Sequence, residues 1–225
     1  MTRTTSRAMP FDRLRSVAVI GALVTATAAL SGCAAVLVGG AVVGGTLLAT
    51  DRRSSGAQID DQSIELKANT RIREVLGDRG HVNVTSYNRI VLLTGEVPTE
   101  ENKAAIEQGL GRLDNVRATV NELVVGTASS LSNRSNDALV TSKVKATLVD
   151  AGDISANAFK VVTERSIVYL MGRVTEREAD RAVNLTRSIG GVQKVVRVME
   201  VISEAELAEI DPNTAPKAST TGPRP

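Results

Sequence analysis

The sequence predicts an α+β fold in which one small unit, with the element order helix, strand, strand, helix, strand, occurs twice in tandem. The first observation is an internal repeat, in which residues 89–97 (RIVLLTGEV) match residues 166–174 (SIVYLMGRV), and a threonine followed by acidic residues comes soon after each match. The second observation is that apolar residues with helical spacing alternate along the chain with short β-branched runs. The third is a pair of valine-rich segments, after Asn115 and Gly191, that would close the two units.

The first unit is predicted to begin with a helix, because its apolar residues share one helical face: Ile64, Ala68, Ile72, Val75 and Leu76. Asp60 and Asp61 are expected to cap the start of this helix, and Gly77 is expected to end it. Strands follow, then a helix that begins at Thr99 and a valine-rich strand. The predicted strands lie at residues 81–87, 90–97 and 116–125.

The second unit repeats this order, with a short insertion at residues 153–157 relative to the first. Thr175 and Glu178 have the spacing of a capping box, in which the hydroxyl and the carboxylate each satisfy a free amide at a helix start. Gly95 and Gly172 are expected to end strands, where a side chain would not fit. The predicted elements are a helix at 137–149, strands at 158–164 and 166–174, a helix at 176–189 and a strand at 192–202.

The two units are expected to pack against each other. A domain of this size buries only about 60% of the surface of its chain and is marginally stable alone. The predicted strand at 166–174 also carries apolar residues on both faces, because Ile167, Tyr169 and Met171 alternate with Val168 and Leu170. The helices of the same unit can bury one of these faces. The other face is expected to be buried by packing against the other unit.

The N-terminus has the pattern of a secretory signal peptide at residues 1–32. Four arginines precede the apolar run 17–30, which is shorter than the about 20 residues that span a membrane. The run ends in Leu30-Ser31-Gly32-Cys33, which resembles the bacterial lipobox, in which the cysteine thiol is acylated before cleavage. That resemblance implies acyl chains on Cys33, and two or three such chains anchor a protein stably to a membrane. Ala34, where a retention signal for the inner membrane would place Asp, indicates the periplasmic face of the outer membrane.

The rest of the chain is interpreted as connecting segments around the two domains. Residues 33–60 are interpreted as the lipidated cysteine with a glycine-rich apolar tether, and the alternative is that residues 34–50 lie in the bilayer interface. The two domains are placed at 61–125 and 137–202, with a Ser/Thr/Gly/Asn-rich linker at 126–136. The polar, proline-containing residues 203–225 are predicted to be a disordered tail.

Composition argues against several functions. Aromatic residues make up 2% of the chain, which leaves little for stacking on bases, and the net charge of +2 is small, so nucleic acid is not an expected partner. The chain has one Cys and one His, so neither an internal disulfide nor a Cys-cluster or His-rich metal site is expected. His81 has no neighbouring nucleophile, and the carboxylate pairs at Glu100 and Glu176 suit helix starts. We therefore predict no catalytic site, no metal and no cofactor.

The duplicated unit resembles the BON domain of bacterial envelope proteins, and the whole chain resembles the dual BON-domain outer-membrane lipoproteins associated with division and envelope stress. The resemblance covers roughly residues 30–202. The segments that carry it are residues 51–53 (DRR), 58–61 (QIDD), 120–123 (VNEL), 135–137 (SND), 141–144 (TSKV) and 171–179 (MGRVTEREA). It implies two tandem BON domains, each with a three-stranded sheet and two helices.

The helix at 137–149 carries a candidate membrane-binding face opposite its predicted core residues Val140, Val144 and Leu148. An apolar strip flanked by lysines on the outer side of a short helix suits a bilayer interface. The equivalent face of the first helix is more polar and holds Leu66, Thr70, Arg73 and Glu74. The alternative is that Leu139 and Val149 pack against the other repeat. The candidate lipid-binding residues are Leu139, Ser142, Lys143, Lys145, Ala146 and Val149.

The family resemblance implies that the second BON domain binds anionic phospholipids, such as phosphatidylglycerol and cardiolipin, through this helix. An aromatic residue of the family aligns with Leu139, and a basic position aligns with Lys145. We therefore expect a non-enzymatic, lipid-anchored protein on the periplasmic face of the outer membrane that binds anionic phospholipid and supports envelope integrity at division sites. The alternative is an adaptor for the outer-membrane protein assembly machinery, with lipid contact incidental. A peptidoglycan-binding module has no support in the sequence.

Overall fold

The structure is a computed structural model that describes residues 51–210, so the predicted signal peptide, Cys33 and most of the tether lie outside the described residues. The first domain contains helix α1 and strands β1 and β2, followed by helix α2 and the short strands β3 and β4. Their bounds are Ser55–Leu76 for α1, His81–Tyr87 for β1, Ile90–Val97 for β2, Glu100–Leu110 for α2, Ala118–Asn121 for β3 and Val124–Val125 for β4.

The second domain repeats the order, with a 3₁₀ turn at Ala156–Ala158 before its first strand and a short helix after its last. Its elements are α3 at Leu131–Ala151, β5 at Phe159–Glu164, β6 at Ile167–Val174, α4 at Glu176–Arg187, β7 at Lys194–Val201 and α5 at Glu204–Ile210. This order and the two sheets confirm the predicted α+β fold of two tandem units.

Each sheet has the same pairing. β1 runs antiparallel to β2, and β3 and β4 pair parallel to β2 as two pieces of the third strand. β5 is antiparallel and β7 parallel to β6. The predicted strand at 116–125 is interrupted because the Leu123 amide donates to the Asn121 side chain, 3.2 Å away, and thus leaves the strand ladder.

Each hairpin turn is held by an aspartate from the preceding helix. Asn88 and Arg89 have positive φ angles, as do Arg165 and Ser166, which is the geometry of a tight two-residue hairpin. The Asp61 carboxylate accepts the amides of Asn88 and Arg89 at 2.8 and 2.7 Å. Asp137 accepts those of Arg165 and Ser166 at 2.8 and 2.9 Å.

The predicted caps at the start of the first helix were therefore wrong, whereas the helix does end at Gly77 as predicted. Helix α1 begins at Ser55, and the Ser54 hydroxyl accepts the Ala57 amide as the cap. Asp60 and Asp61 lie inside the helix, and Asp61 is 2% exposed. An aspartate before an apolar run has the sequence pattern of a helix cap. That pattern does not reveal a contact with a hairpin some 25 residues later in the chain.

Two polar segments are also more structured than predicted. Helix α3 begins at Leu131, inside the predicted linker 126–136, because the Ser130 hydroxyl caps the Asn133 amide. Helix α5 occupies the start of the predicted disordered tail, where Leu207 is buried and Glu206 pairs with Arg173. Residues 211–225 lie outside the described residues.

Three apolar clusters form the core. One lies between α1, α2 and the first sheet, and another between α3, α4 and the second sheet. The third joins the two sheets face to face and contains Tyr87, Leu92, Tyr169, Met171 and Val198. The predicted packing of the two units is therefore confirmed, and it leaves α1 and α3 on the two outer sides of the pair of sheets.

A short segment before α1 fastens the two domains to each other. Arg52 is 2% exposed and donates to both carboxylate oxygens of Glu178 in the second domain, at 2.7 and 2.8 Å. Arg53 binds Asp61 in the first domain at 2.8 Å and lies over the ring of Tyr87. Residues 51–210 belong to one compact unit. Because the apolar clusters and this arginine segment lie inside that unit, we expect a soluble fragment that starts at Thr50 to fold by itself.

Candidate membrane-facing site

The candidate site is the outer side of α3. This side is exposed to solvent because the opposite side of the helix is packed on the rest of the second domain. Val140, Val144 and Leu148 are at most 2% exposed and pack on the second sheet. Asp137 on the same side holds the hairpin turn. Residues three and four apart share a helix face, so these contacts fix the rotation of α3 and direct the opposite side to solvent.

The structure brings all six sequence-predicted residues of α3 onto the exposed part of the helix. Leu139 is 61% exposed and Val149 is 66% exposed, so neither packs against the first domain as the alternative required. Ser142, Ala146 and the two lysines are exposed as well. Whether these residues bind lipid stays a prediction, and Cys33, the predicted lipidation site, lies outside the described residues.

Leu131 extends this surface and was missed by the sequence analysis. It is 77% exposed and lies 18 residues before Val149, which is five helical turns, so both side chains point the same way. At a rise of 1.5 Å per residue, the strip between Leu131 and Val149 is about 27 Å long. Leu131 was missed because the serine- and asparagine-rich residues around it were read as a linker. We call the surface formed by Leu131 and the six predicted residues the outer face of α3.

The lysines of the outer face carry uncompensated charge. Neither Lys143 nor Lys145 has an ion-pair partner within residues 51–210, whereas many arginines of the two domains are paired. The exposed acidic residue nearest to them on α3 is Asp150, which points away from Lys145 but lies two helical turns after Lys143 on the same side of the helix. The two lysines lie on opposite sides of the apolar strip, so a membrane in contact with the strip would meet both ammonium groups.

Two exposed or half-buried hydroxyl groups in the middle of α3 are already hydrogen-bonded to the backbone of the helix. Ser142 donates to the carbonyl of Ala138, and Thr147 donates to that of Lys143, each at 3.0 Å. A hydroxyl group that has a partner costs much less to remove from water than a free one. These side chains therefore interrupt the strip at a small cost for membrane contact.

The matching side of α1 offers a useful comparison. Ile59 and Leu66 are 67% and 71% exposed, so the first helix also shows apolar side chains, although Ile59 was not included in the predicted helix. Around and after them the surface is polar, and Arg71 pairs with Glu74 at 2.8 Å. The outer side of α1 thus presents both signs of charge, whereas the outer face of α3 is flanked by lysines.

Polar groups between the domains form a structural network. Glu164 accepts a hydrogen bond of 2.8 Å from Asn83, and Glu96 pairs with Arg165. Burial raises the pKa of the Glu164 carboxyl, and the bond from Asn83 offsets this only in part. Within residues 51–210 no group of three or more His, Cys, Asp or Glu residues is placed to hold a metal ion, and no helix there is long and apolar enough to cross a bilayer.

The repeated unit and its packing define the class of the protein. The model of the BON domain matches residues 60–127 and 136–203, and the chain belongs to the BON-domain family. It is 34% identical over 196 residues to the outer membrane lipoprotein DolP of Haemophilus influenzae, a match that covers 86% of this chain and all of that protein. This similarity supports outer-membrane localisation.

Two further similarities are more distant. The chain is 29% identical over 154 residues to a protein named 21 kDa hemolysin from Actinobacillus pleuropneumoniae, with 68% of this chain and 79% of that protein covered. Among solved structures, CdsD, a structural protein of the type III secretion system of Chlamydia trachomatis, matches at 14% identity with a TM-score of 0.27, covering 64% of this chain and 96% of that one.

Proposed function

We propose that this protein is a non-enzymatic outer-membrane lipoprotein, anchored through Cys33, whose second BON domain binds anionic phospholipid with the outer face of α3. Through this contact it supports envelope integrity at division sites. The observation that carries the proposal is the strip of Leu131, Leu139 and Val149, exposed between two lysines that have no ion-pair partner within residues 51–210. The similarity to an outer membrane lipoprotein over nearly the whole chain supports the location.

The energies of such a contact are modest, which suits a protein that is already anchored. Burying a leucine or valine side chain contributes about 1.5–3 kcal/mol when burial is complete, and partial insertion contributes less. Each lysine near an anionic surface adds about 1 kcal/mol. Alone, this surface would bind membranes weakly and reversibly. Acyl chains on Cys33 would hold the domain at a high local concentration near lipid, so weak contacts are sufficient.

Replacing Leu139 by glutamate is expected to reduce binding of the soluble unit, residues 50–225, to phosphatidylglycerol vesicles by about ten-fold or more. The change removes an inserting side chain and adds a charge that the lipid repels. Co-sedimentation with vesicles of phosphatidylglycerol in phosphatidylcholine measures the effect, and salt is expected to weaken wild-type binding through screening.

The matched control is Leu66→Glu, which makes the same change on α1 at a site that is 71% exposed, against 61% for Leu139. It is expected to leave vesicle binding unchanged. Equal loss in both variants, or wild-type binding by a folded Leu139→Glu protein, would reject the outer face of α3 as the lipid site. If a folded Leu139→Glu protein binds vesicles like the wild type, the adaptor function gains support. An adaptor would use the outer face of α3 to bind a protein of the assembly machinery rather than lipid.

Replacing Cys33 by serine is expected to abolish acylation, because serine lacks the thiol that accepts the lipid. The full-length variant should incorporate no labelled palmitate and should accumulate as precursor that is not cleaved before residue 33. Wild-type labelling of the variant would contradict the lipoprotein assignment while leaving the outer face of α3 untested by that result. The vesicle experiment with the soluble unit decides that face separately.

A further inference from the structure

A polar cavity lies at the start of α3, between the segment that precedes the helix, the turn of the β5–β6 hairpin and the start of β7. Its volume is about 600 Å³, within the 300–1,000 Å³ typical of small-molecule sites. No aromatic side chain is among its lining residues. Apart from the helix cap Ser130, the hydroxyl and carboxamide groups of its walls belong to Thr127, Ser129, Asn133, Asn136, Ser166 and Gln193. We call this the hairpin cavity.

Most of these groups have no hydrogen-bond partner in the part of the chain that the structure describes. The side chains without one among residues 51–210 are those of Thr127, Asn133, Asn136, Ser166 and Gln193. The Ser129 hydroxyl oxygen is buried in the wall and has no partner in the same range. Buried polar atoms in native proteins are nearly always hydrogen-bonded. The combination therefore indicates a place for a polar ligand that both donates and accepts hydrogen bonds.

The first domain supplies a direct comparison, because its equivalent residues can be assigned from their contacts. Ser54 and Ser130 cap the equivalent helices of the two domains. The backbone amides of Arg117 and Gln193 each donate, at 2.9 Å, to a carbonyl of the hairpin turn in their own domain. The backbone around the hairpin cavity therefore has the same arrangement in both repeats.

In the first domain the equivalent place is filled by an ion pair. Asp60 stands there where the second domain has Asn136, and Arg89 stands where it has Ser166. The Arg89 guanidinium lies 2.6 Å from the Asp60 carboxylate, and the Asn115 side chain donates to the same carboxylate at 2.8 Å. Asn136 and Ser166 carry no charge and form no such pair. The second domain thus has an open cavity where the first has an internal network.

The hairpin cavity favours an uncharged ligand. Its two charged lining residues have opposite signs, and both are already engaged. Asp137 accepts the two hairpin amides, and the Arg165 guanidinium lies 3.4 Å from the buried Glu96 carboxylate. An anion such as phosphate would therefore meet no unpaired cation in the wall. A peptide would find no apolar pocket for its side chains, because Ala128 is the one apolar residue of the lining.

Sugars match the remaining groups. Hydroxyl and carboxamide side chains each donate and accept hydrogen bonds, as do the hydroxyl and acetamido groups of an N-acetylated sugar. We propose that the hairpin cavity binds a short segment of an uncharged, N-acetylated sugar chain, with Asn136, Ser166 and Gln193 bonded to it. No residue of the outer face of α3 lines the cavity, so this activity goes beyond the proposed lipid contact. Without an aromatic ring to stack on the sugar, a Kd on the order of 1 mM is expected.

The test titrates triacetylchitotriose, an uncharged chain of N-acetylglucosamine units, into the soluble unit and follows backbone amide shifts by NMR. We expect saturable shifts centred on residues 127–137 and on the β5–β6 turn. Added salt is expected to leave this binding unchanged, because screening acts on charges. Glycerol phosphate is expected to bind about ten-fold more weakly or less. No saturable binding of the trisaccharide, or shifts centred elsewhere, would overturn the proposal.

A double variant closes the cavity with the ion pair of the first domain. Asn136→Asp combined with Ser166→Arg introduces the two residue types that pair as Asp60 and Arg89. Because the surrounding backbone is equivalent, the variant is expected to fold and to bind the trisaccharide about ten-fold more weakly or less. Wild-type sugar affinity in the folded double variant would overturn the proposal.

Gln193→Ala decides the question if the double variant does not fold. It removes one exposed carboxamide from the wall and keeps the backbone hydrogen bond to Ser166. It is expected to weaken sugar binding about five-fold, the effect of one lost hydrogen bond. The matched control is Gln108→Ala, the same change at an exposed site on α2, which is expected to bind the sugar like the wild type. Equal affinity of these two variants would overturn the proposal.

Leu139→Glu separates this inference from the proposed function. Leu139 lies outside the hairpin cavity, so the variant is expected to bind the trisaccharide within about two-fold of the wild type while losing vesicle binding. The double variant is expected to show the reverse pattern. Loss of sugar binding in a folded Leu139→Glu protein would overturn the placement of the sugar in the hairpin cavity, whatever the result with vesicles.

Discussion

Replacing Arg52 by methionine is expected to lower the free energy of unfolding of the soluble unit by about 3–5 kcal/mol, the usual cost of removing one partner of a buried ion pair. Arg52 and Glu178 are each 2% exposed, and the guanidinium binds both carboxylate oxygens. Without Arg52 the carboxylate stays buried with the Thr175 amide as its remaining partner. Chemical denaturation at neutral pH measures the loss.

Acidification gives this prediction a distinct signature. Burial alone would raise the pKa of Glu178, but the bonds from Arg52 and from the Thr175 amide outweigh it and lower the pKa below the ordinary value of 4.5. The ion pair therefore stabilises the fold fully above about pH 4.5, and its contribution is lost as the pH falls through the lowered pKa. In Arg52→Met burial dominates, the pKa of Glu178 rises, and the stability deficit shrinks on acidification.

Two controls test whether the loss of stability in Arg52→Met comes from the buried ion pair. The double variant Arg52→Met, Glu178→Met removes both charges and is expected to recover much of the lost stability, because no unpaired charge remains. Arg71→Met breaks the exposed pair with Glu74 and is expected to cost less than about 1 kcal/mol. A loss below about 1 kcal/mol in Arg52→Met would mean that the segment at 51–53 does not fasten the two domains.

Replacing Gly95 by alanine is expected to destabilise the first domain by about 3–5 kcal/mol or to prevent its folding, since backbone strain and steric overlap add. Gly95 has a φ of 110°, and an added Cβ would lie 2.0 Å from the carbonyl oxygen of His81. That oxygen belongs to the paired strand β1, so it cannot withdraw without breaking the ladder in which Val82 faces Gly95. Thermal unfolding and amide exchange measure the effect.

Gly77→Ala is the matched control, because Gly77 also has a positive φ but an added Cβ would meet nothing within 4 Å. It is expected to cost about 1–3 kcal/mol, the backbone strain alone, because the φ of 57° and ψ of −126° at Gly77 lie in a sparsely populated region outside the left-handed helical one. Equal destabilisation by the two substitutions would contradict the close approach of β1 at Gly95. Gly95 and Gly172 both lie inside strands rather than at their ends, and an added Cβ at Gly172 would be 2.5 Å from the Ala158 carbonyl oxygen.

The sequence by itself determined the duplicated α+β unit, the positions of β2 and β6, the capping box at Thr175 and the core face of α3. These features depend on local periodicity and short-range hydrogen bonds, which neighbouring residues specify. The alternation of Ile167, Tyr169 and Met171 with Val168 and Leu170 even separated the face between the sheets from the face under the helices. The predicted face of α3 could be identified for the same reason, because core and outer residues recur at helical spacing.

The tertiary structure alone decided the features that depend on contacts between distant residues. Asp61 holds a hairpin turn rather than a helix start, Arg52 crosses to Glu178, and Leu207 buries itself and so keeps the start of the polar tail helical. Leu131 joins the outer face of α3 because Ser130 caps the helix earlier than its polar neighbours suggest. Sequence periodicity does not reveal such contacts, because the groups that bind each other are tens of residues apart in the chain.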